Sequence, residues 1–200
     1  MLFAGYIILF IALAINPYDR AVWWAENVPI FLIFSGIVIL YFRNVRFSPL
    51  AYVMMFCLLY IHTVGGYFTF ERVPFDWFNN FFGFERNMYD RVGHFTVGFY
   101  AYPLLEWLWF KTPTPKRIAV LFAIFTIATV AVSYEWLEWW YAVKYGGSAG
   151  VAFLGSQGDV WDAQKDMLMD TLGAVFAVIP FLLINRKRRS EALPMETAGV

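Results

Sequence analysis

The most informative stretch of the sequence is Gly155-Ser-Gln-Gly-Asp-Val-Trp-Asp-Ala-Gln-Lys-Asp-Met-Leu-Met-Asp-Thr-Leu-Gly173, which runs straight into the apolar segment 174–184. Its four aspartates are spaced by three, four and four residues, which places them along one side of a helix. Like charges at this spacing repel, and carboxylates beside hydrocarbon are costly, so the stretch needs a cation, a proton or a polar ligand. We therefore predict metal ligands at Asp159, Asp162, Asp166 and Asp170.

The composition around this stretch is that of a membrane protein. The chain is 60% hydrophobic and 15% charged, whereas soluble domains carry about a quarter charged residues. Aromatic residues make up 22%, as expected where they form belts at the membrane surfaces. This composition makes the lipid bilayer the expected partner. The formal net charge is zero, so we expect no nucleic acid as a partner.

Apolar segments recur along the whole chain. They cover about residues 2–15, 28–42, 50–67, 92–110, 118–141 and 167–184. We predict an all-α, polytopic transmembrane helix bundle of about six helices, built as one integral membrane domain over residues 1–200. Residues 1–185 form the bundle, and residues 186–200 form a short basic and then flexible cytoplasmic tail.

Basic residues predict the orientation of the bundle. With the N-terminus in the cytoplasm, nine of the fifteen Lys and Arg residues lie inside, among them the run Arg186–Arg189. Both termini are then cytoplasmic, and the protein is a multi-pass membrane protein. The loops 68–91 and 142–166 face outward, so a site built there opens away from the cytoplasm.

A second candidate pair is Asp90 and His94, four residues apart at the outer end of the fourth segment. The two share a helix face, so the carboxylate can orient the imidazole for catalysis, or both can bind one metal. The alternative is an acid favoured at a helix start and a histidine bonded to a backbone carbonyl.

Glu135 and Glu138 lie three residues apart among tryptophans near the outer end of the fifth segment. Carboxylates in such surroundings need a proton, a basic partner or a metal. We assign Glu135 a catalytic role and Glu138 a metal-binding role. The alternative is that both acids reach interfacial water.

His62 precedes the pair Gly65-Gly66 at the outer end of the third segment and is a further candidate metal ligand. The alternative is a hydrogen-bonded interface residue. The glycine pair either ends the helix or lets two backbones approach closely.

Ionisable residues within a membrane normally face the bundle interior, so we expect these candidates to face one another. Nearly all offer oxygen, which suits Mg²⁺, Ca²⁺ or Mn²⁺, and the two histidines leave Zn²⁺ or Fe open. A divalent metal ion is therefore the suspected cofactor. The chain has no His-Glu-x-x-His pair and no Walker loop.

Four sequence blocks lie within about residues 50–180: His62-Thr-Val-Gly-Gly, Tyr89-Asp-Arg-Val-Gly-His94, Glu135-x-x-Glu138-Trp, and the first thirteen residues of the quoted stretch. Together they resemble the YjdF family, a bacterial inner-membrane family designated a domain of unknown function. A looser similarity to VanZ-like teicoplanin-resistance membrane proteins rests on Asp90-Arg-Val-Gly-His94-Phe and Asp166-x-x-x-Asp170-x-x-Gly173. Arg91 and Asp170 depart from that second pattern, which has Lys and Asn. These resemblances imply a fold and the position of a site, and no reaction.

The sequence favours an outward-facing carboxylate–histidine site, either in a metal-binding protein or in a metal-dependent enzyme acting on an envelope lipid or lipid-linked substrate. A proton- or cation-coupled transporter is the alternative, favoured by the deeply placed Glu106 and by Pro103 in the same segment. A structural membrane assembly protein, with its acids closed on Arg91 and Lys165, is the third possibility. Whether the chain is an enzyme, and its oligomeric state, stay open at this stage.

Overall fold

The computed structural model describes residues 2–147, 154 and 156–185, and the secondary structure of these residues is helical without strands. The helices are α1 (Leu2–Ala14), α2 (Arg20–Phe42), α3 (Pro49–Phe68), α4 (Asp76–Phe82), α5 (Tyr89–Val97), a 3₁₀ helix (Gly98–Tyr100), α6 (Ala101–Lys111), α7 (Lys116–Tyr145) and α8 (Asp162–Ile184). The predicted all-α class is confirmed. The run Arg186–Arg189 and the predicted tail lie outside the described residues.

Four helices, α2, α3, α7 and α8, are long and apolar enough to cross a membrane, and α1 is a shorter apolar helix of 13 residues. Helix α2 begins eight residues before the predicted start of its segment. It does so because the Asp19 side chain accepts hydrogen bonds from the backbone N–H groups of Ala21 and Val22, at 2.8 and 3.0 Å. This extension places Glu26 inside a membrane-spanning helix.

The predicted segment 92–110 is built from three pieces, α5, the 3₁₀ helix and α6. The change of helix type falls at Gly98, whose backbone lies against α8. A Cβ atom on Gly98 would overlap the backbone of Gly173, and one on Gly173 would overlap the carbonyl of Phe95. Glycine at both positions therefore lets the two backbones meet, as small residues do between membrane helices. Pro103 falls in the first turn of α6, directly after the 3₁₀ helix.

Helix α8 is central, because it packs against α5, α6, α7 and the 3₁₀ helix. Aromatic contacts fix the C-terminal half of α8: the centre of the Phe181 ring lies 5.3 Å from the ring centres of both Tyr102 and Trp109. Phe181 and Tyr102 are almost fully buried. This packing sets the rotation of α8 about its axis and so directs Asp166 and Asp170 toward α5.

The segments that precede α5 and α8 are hydrogen-bonded to each other. Gln157 Oε1 accepts from the backbone N–H of Asn87 at 2.9 Å, and Gln157 Nε2 donates to the Asn87 carbonyl at 3.1 Å. Asn87 Nδ2 in turn donates to the carbonyl of Val73 at 2.7 Å. Helices α5 and α8 consequently start side by side and run in the same direction. We call this end of the bundle, where α2, α5 and α8 begin and α3 and α7 end, the site end.

A carboxylate–histidine site at one end of the bundle

The parallel packing of α5 and α8 pairs their polar residues in successive steps. Arg91 on α5 meets Asp162 and Asp166 on α8, and one turn further along His94 meets Asp166 and Asp170. Three of the four aspartates predicted to share one side of a helix do so, at positions 162, 166 and 170. Asp159 precedes the first turn of α8, so the stripe on the helix has three members.

Arg91 neutralises two of these aspartates. Its side chain is 4% exposed, and Nη2 donates to Asp162 Oδ1 at 2.5 Å while Nη1 donates to Asp166 Oδ1. A buried guanidinium is tolerated only with such charged, hydrogen-bonded partners. Asp166 therefore has an arginine on one side and, through the same Oδ1, the imidazole of His94 on the other.

Asp159 belongs to the surface side of this network. Lys165 Nζ donates to Asp159 Oδ2 at 2.6 Å, and this hydrogen bond is the main reason that the pKa of Asp159 falls to about 2. Arg86 Nη1 lies 2.6 Å from Asp162 Oδ1 and 3.5 Å from Asp159 Oδ2. The structure thus places two of the predicted metal ligands, Asp159 and Asp162, among three basic side chains.

His94 lies between three carboxylates. Its Nδ1 is 3.3 Å from Asp170 Oδ2, and its Nε2 is 3.6 Å from Asp166 Oδ1 and 3.7 Å from Asp90 Oδ1. With the proton of the neutral ring on Nδ1, facing Asp170, the lone pair of Nε2 faces the other two carboxylates. Asp90, His94 and Asp166 each offer one ligand atom, all within 4.8 Å of one another, which suits a single bound cation.

Asp170 holds an unpartnered oxygen in this group. The residue is 1% exposed, and within the described part of the chain its Oδ1 has no hydrogen-bond partner although it is buried. Leaving a buried charged oxygen without a partner is costly. Asp170 also lines a cavity, so its position indicates a group that binds there.

The cavity has a volume of about 160 Å³ and lies at the site end between α2, α3, α5, α7 and α8. Its ionisable and phenolic lining comes from all five helices: Glu26, His62, Asp90, His94, Tyr134, Glu138 and Asp170. The expectation that intramembrane acids and histidines face one another agrees with this arrangement. Asp159, Asp162 and Asp166 are not among the lining residues found in the described part of the chain.

A second polar group lies across the cavity from His94. His62 Nε2 is 3.0 Å from the Glu26 carbonyl oxygen and 3.2 Å from Glu26 Oε2, and Tyr134 Oη donates to the same Oε2 at 3.4 Å. Gly66 makes this possible, because a Cβ there would press on the Glu26 and Asn27 side chains at 3.2 and 3.1 Å. The glycine pair lies inside α3, and its effect is close approach.

The two glutamates of α7 differ in their surroundings. Glu138 is 8% exposed and lines the cavity, in the position expected of a ligand or a base. Glu135 interacts electrostatically with His94 and Asp166, and its buried Oε1 has no hydrogen-bond partner among the described residues. Both therefore lie within the same charged region, Glu138 on the cavity and Glu135 beside it.

Glu106 lies elsewhere, in the middle of α6 and against the start of α3, away from the site end. Its Oε1 accepts from the backbone N–H of Ser48 at 2.7 Å, and its Oε2 accepts from the Ser48 hydroxyl at 2.6 Å. Ser48 is the N-cap of α3. Glu106 thus fixes the start of a helix, a role that the sequence did not indicate.

Sequence reasoning missed Glu26, Tyr134 and Arg86. The predicted second segment begins at residue 28, so Glu26 lies just outside it. A helix start at the Asp19 cap would have put this glutamate inside the membrane, where such a residue indicates a functional site. No local signal separates Tyr134 or Arg86 from other aromatic and basic residues of the chain.

Comparison with known proteins agrees with the resemblance found in the sequence. Residues 1–187 match the family described as "Predicted membrane protein (DUF2238)". The inner membrane protein YjdF of Escherichia coli (strain K12) is 33% identical over 175 residues, which are 86% of this chain and 83% of that protein. With the four apolar helices, these matches confirm a multi-pass inner-membrane protein.

The looser similarity to VanZ-like proteins finds no support in these matches. No solved structure is significantly similar to the chain. The placement of both termini in the cytoplasm stays a prediction.

Proposed function

We propose that this chain, which belongs to the DUF2238 family of membrane proteins, binds a divalent cation at the site end and uses it to act on an envelope lipid or lipid-linked substrate. The observation that carries the proposal is the meeting of Asp90, His94 and Asp166 within 4.8 Å beside the unpartnered oxygen of Asp170.

The donor set has one imidazole nitrogen and two carboxylate oxygens. Such a set suits Mn²⁺, Zn²⁺ or Fe²⁺, and suits Mg²⁺ less because Mg²⁺ prefers oxygen alone. Asp170 holds the Nδ1 side of His94, which is the arrangement of a carboxylate that orients a metal-binding histidine. We assign Asp90, Asp166 and His94 Nε2 as ligands and Asp170 as the residue that orients His94.

The neighbouring cavity, which Asp90, His94 and Asp170 line, supplies further groups for chemistry on a phosphate or a similar polar head. A bound cation polarises a phosphate oxygen or activates water. Glu138, on the same cavity, has the carboxylate that would accept a proton from that water. Arg91 Nη1 donates a charge-assisted hydrogen bond to Asp166 and so holds this ligand in place.

The two other possible functions have different support. A structural protein accounts for Arg91 with its two aspartates, but it gives no role to the buried oxygen of Asp170. The transport hypothesis drew on Glu106, which is bonded to Ser48 at the start of α3, away from the site end. The metal hypothesis accounts for more of the site end than either.

The test is Mn²⁺ titration of protein purified in mild detergent, followed by the loss of the electron paramagnetic resonance signal of free Mn²⁺. We expect one saturable site in the wild type and loss of that site in Asp90→Asn and in His94→Gln. The matched control is Asp76→Asn, which removes the same charge from an exposed position near the site end. Equal Mn²⁺ binding in Asp90→Asn, His94→Gln and the control would refute the metal site.

A further inference from the structure

Helices α2 and α7 line the cavity from opposite sides without packing closely on each other. Over the described residues, α2 packs mainly against α3, and α7 packs mainly against α6 and α8. A hydrogen bond from Tyr134 Oη to Glu26 Oε2, at 3.4 Å, bridges the two helices at the site end. Beyond this bridge a slot separates them.

The lining of the slot changes from polar to apolar along its length. Glu26, His62 and Glu138 lie at the polar end, and Ile33, Val130 and Ala131 lie at the other. Val130 is eight residues from Glu138 on one helix, which is a distance of about 12 Å at 1.5 Å per residue. A polar cavity and an apolar channel therefore form one continuous space.

The apolar end of this slot is open to the side. Val130 lines the cavity and is nevertheless 49% exposed, and it stands at the middle of the 30-residue α7. The middle of a membrane-spanning helix lies in the hydrocarbon core of the bilayer. The exposed part of Val130 therefore contacts lipid acyl chains.

From this geometry we infer that the substrate is a glycerophospholipid that enters sideways from the bilayer. The first part of its acyl chain lies between α2 and α7 and the rest in the bilayer, because the cavity holds only about 160 Å³, and its phosphate-bearing head lies beside Asp90 and His94. The inference rests on the proposed function and names its substrate class. A substrate from water would leave the apolar half of the slot unused, whereas an amphiphile fills both halves. The Tyr134–Glu26 bridge closes the slot above the lipid chain.

The experiment blocks the apolar end of the slot with Val130→Trp. The matched control is Phe125→Trp on the same helix, at a position 63% exposed that does not line the slot in the described structure. Each protein is reconstituted in nanodiscs of phosphatidylethanolamine and phosphatidylglycerol, extracted in mild detergent and examined by native mass spectrometry. Mn²⁺ binding is measured on the same samples.

We expect the wild type and Phe125→Trp to retain a phospholipid, Val130→Trp to lose it, and all three to bind Mn²⁺ equally. Ile33→Trp, on the opposite wall, should repeat the loss if Val130→Trp folds poorly. Retention of lipid by both Val130→Trp and Ile33→Trp overturns the inference and leaves the metal site intact. A wild type that retains no lipid overturns it in the same way. A wild-type dimer that becomes monomeric in Val130→Trp also overturns it, because the slot is then an interface between copies. If Val130→Trp loses the lipid but none of the three proteins binds Mn²⁺, the metal function alone is refuted.

Discussion

Asp170 Oδ2 lies 3.3 Å from His94 Nδ1, and this contact turns the other imidazole nitrogen toward Asp90 and Asp166. Of the three carboxylates around His94, Asp170 alone faces Nδ1. The imidazole therefore separates an orienting carboxylate from two candidate ligands, and the proposed metal site depends on this division.

Asp170→Asn tests the orienting role. The amide keeps the size of the side chain but removes the charge that makes the imidazole a stronger ligand. We expect Mn²⁺ affinity to fall by about 10- to 100-fold, the usual effect of losing such a partner, with the fold retained. Asp159→Asn removes a carboxylate that lies with Lys165 and should leave affinity unchanged. An unchanged affinity in Asp170→Asn would mean that Asp170 does not act through His94.

Arg91→Gln tests the buried ion pairs. The substitution leaves the buried Asp166 without its arginine and Asp162 with Arg86 alone, and we expect a loss of about 3–5 kcal/mol in the free energy of unfolding. Thermal unfolding in mild detergent measures the change.

The control for Arg91 is Arg72→Gln. The Arg72 side chain is 48% exposed and pairs with Glu71 at 2.9 Å. An exposed pair of this kind contributes at most about 1 kcal/mol. The double variant Arg91→Gln, Asp166→Asn should recover part of the stability that Arg91→Gln loses, because it removes the charge left without an arginine. Equal small losses in both single variants would contradict the structural importance of the buried network.

The pH dependence of Asp159 follows from its low pKa. Its pKa falls from 3.8 to about 2 in the folded protein, chiefly because Lys165 hydrogen-bonds to the ionised carboxylate. The unfolded chain binds this proton first as pH falls, so the stabilisation is complete above about pH 4 and is lost as pH falls through about 2.

Unfolding temperatures of the wild type and Asp159→Asn should therefore differ at neutral pH and converge between about pH 4 and pH 2. Asp76→Asn serves as the control, because Asp76 is exposed and lies outside the network. If the difference in unfolding temperature between the wild type and Asp159→Asn stays constant down to pH 2, ionisation of the Asp159 carboxylate does not contribute to stability.

Gly98→Ala tests the contact that sets the distance between α5 and α8. The added methyl group would overlap the backbone of Asp170, Gly173 and Ala174, and backbone cannot rotate away as a side chain can. We expect a destabilisation of about 1–3 kcal/mol or more, together with weaker Mn²⁺ binding as His94 moves away from Asp170.

Gly36→Ala is the matched control in a membrane-spanning helix, because a Cβ there meets nothing within 4 Å. It should be neutral or stabilise the protein by up to about 1 kcal/mol. If Gly98→Ala behaves like Gly36→Ala, α5 and α8 do not meet as closely as described.

The apolar segments and the acidic stripe could be predicted from the sequence because each depends on a local period. Length and hydropathy identify a membrane helix, and the four-residue spacing places Asp162, Asp166 and Asp170 on one face whatever that face meets. The start of α2 was predicted eight residues too late, since it depends on the Asp19 cap more than on apolar composition. That error left Glu26 out of the candidate site.

Local patterns in the sequence are therefore enough to predict an all-α inner-membrane bundle and a set of acids and histidines at one end of it. How these residues divide depends on the packing of the helices: Asp159 and Asp162 lie with Arg86, Arg91 and Lys165, while Asp90, Asp166 and Asp170 surround His94. The physical reason is that the helical period fixes a residue's position on its own helix. The partner it meets depends on the register of two helices, which the glycine contact between α5 and α8 sets.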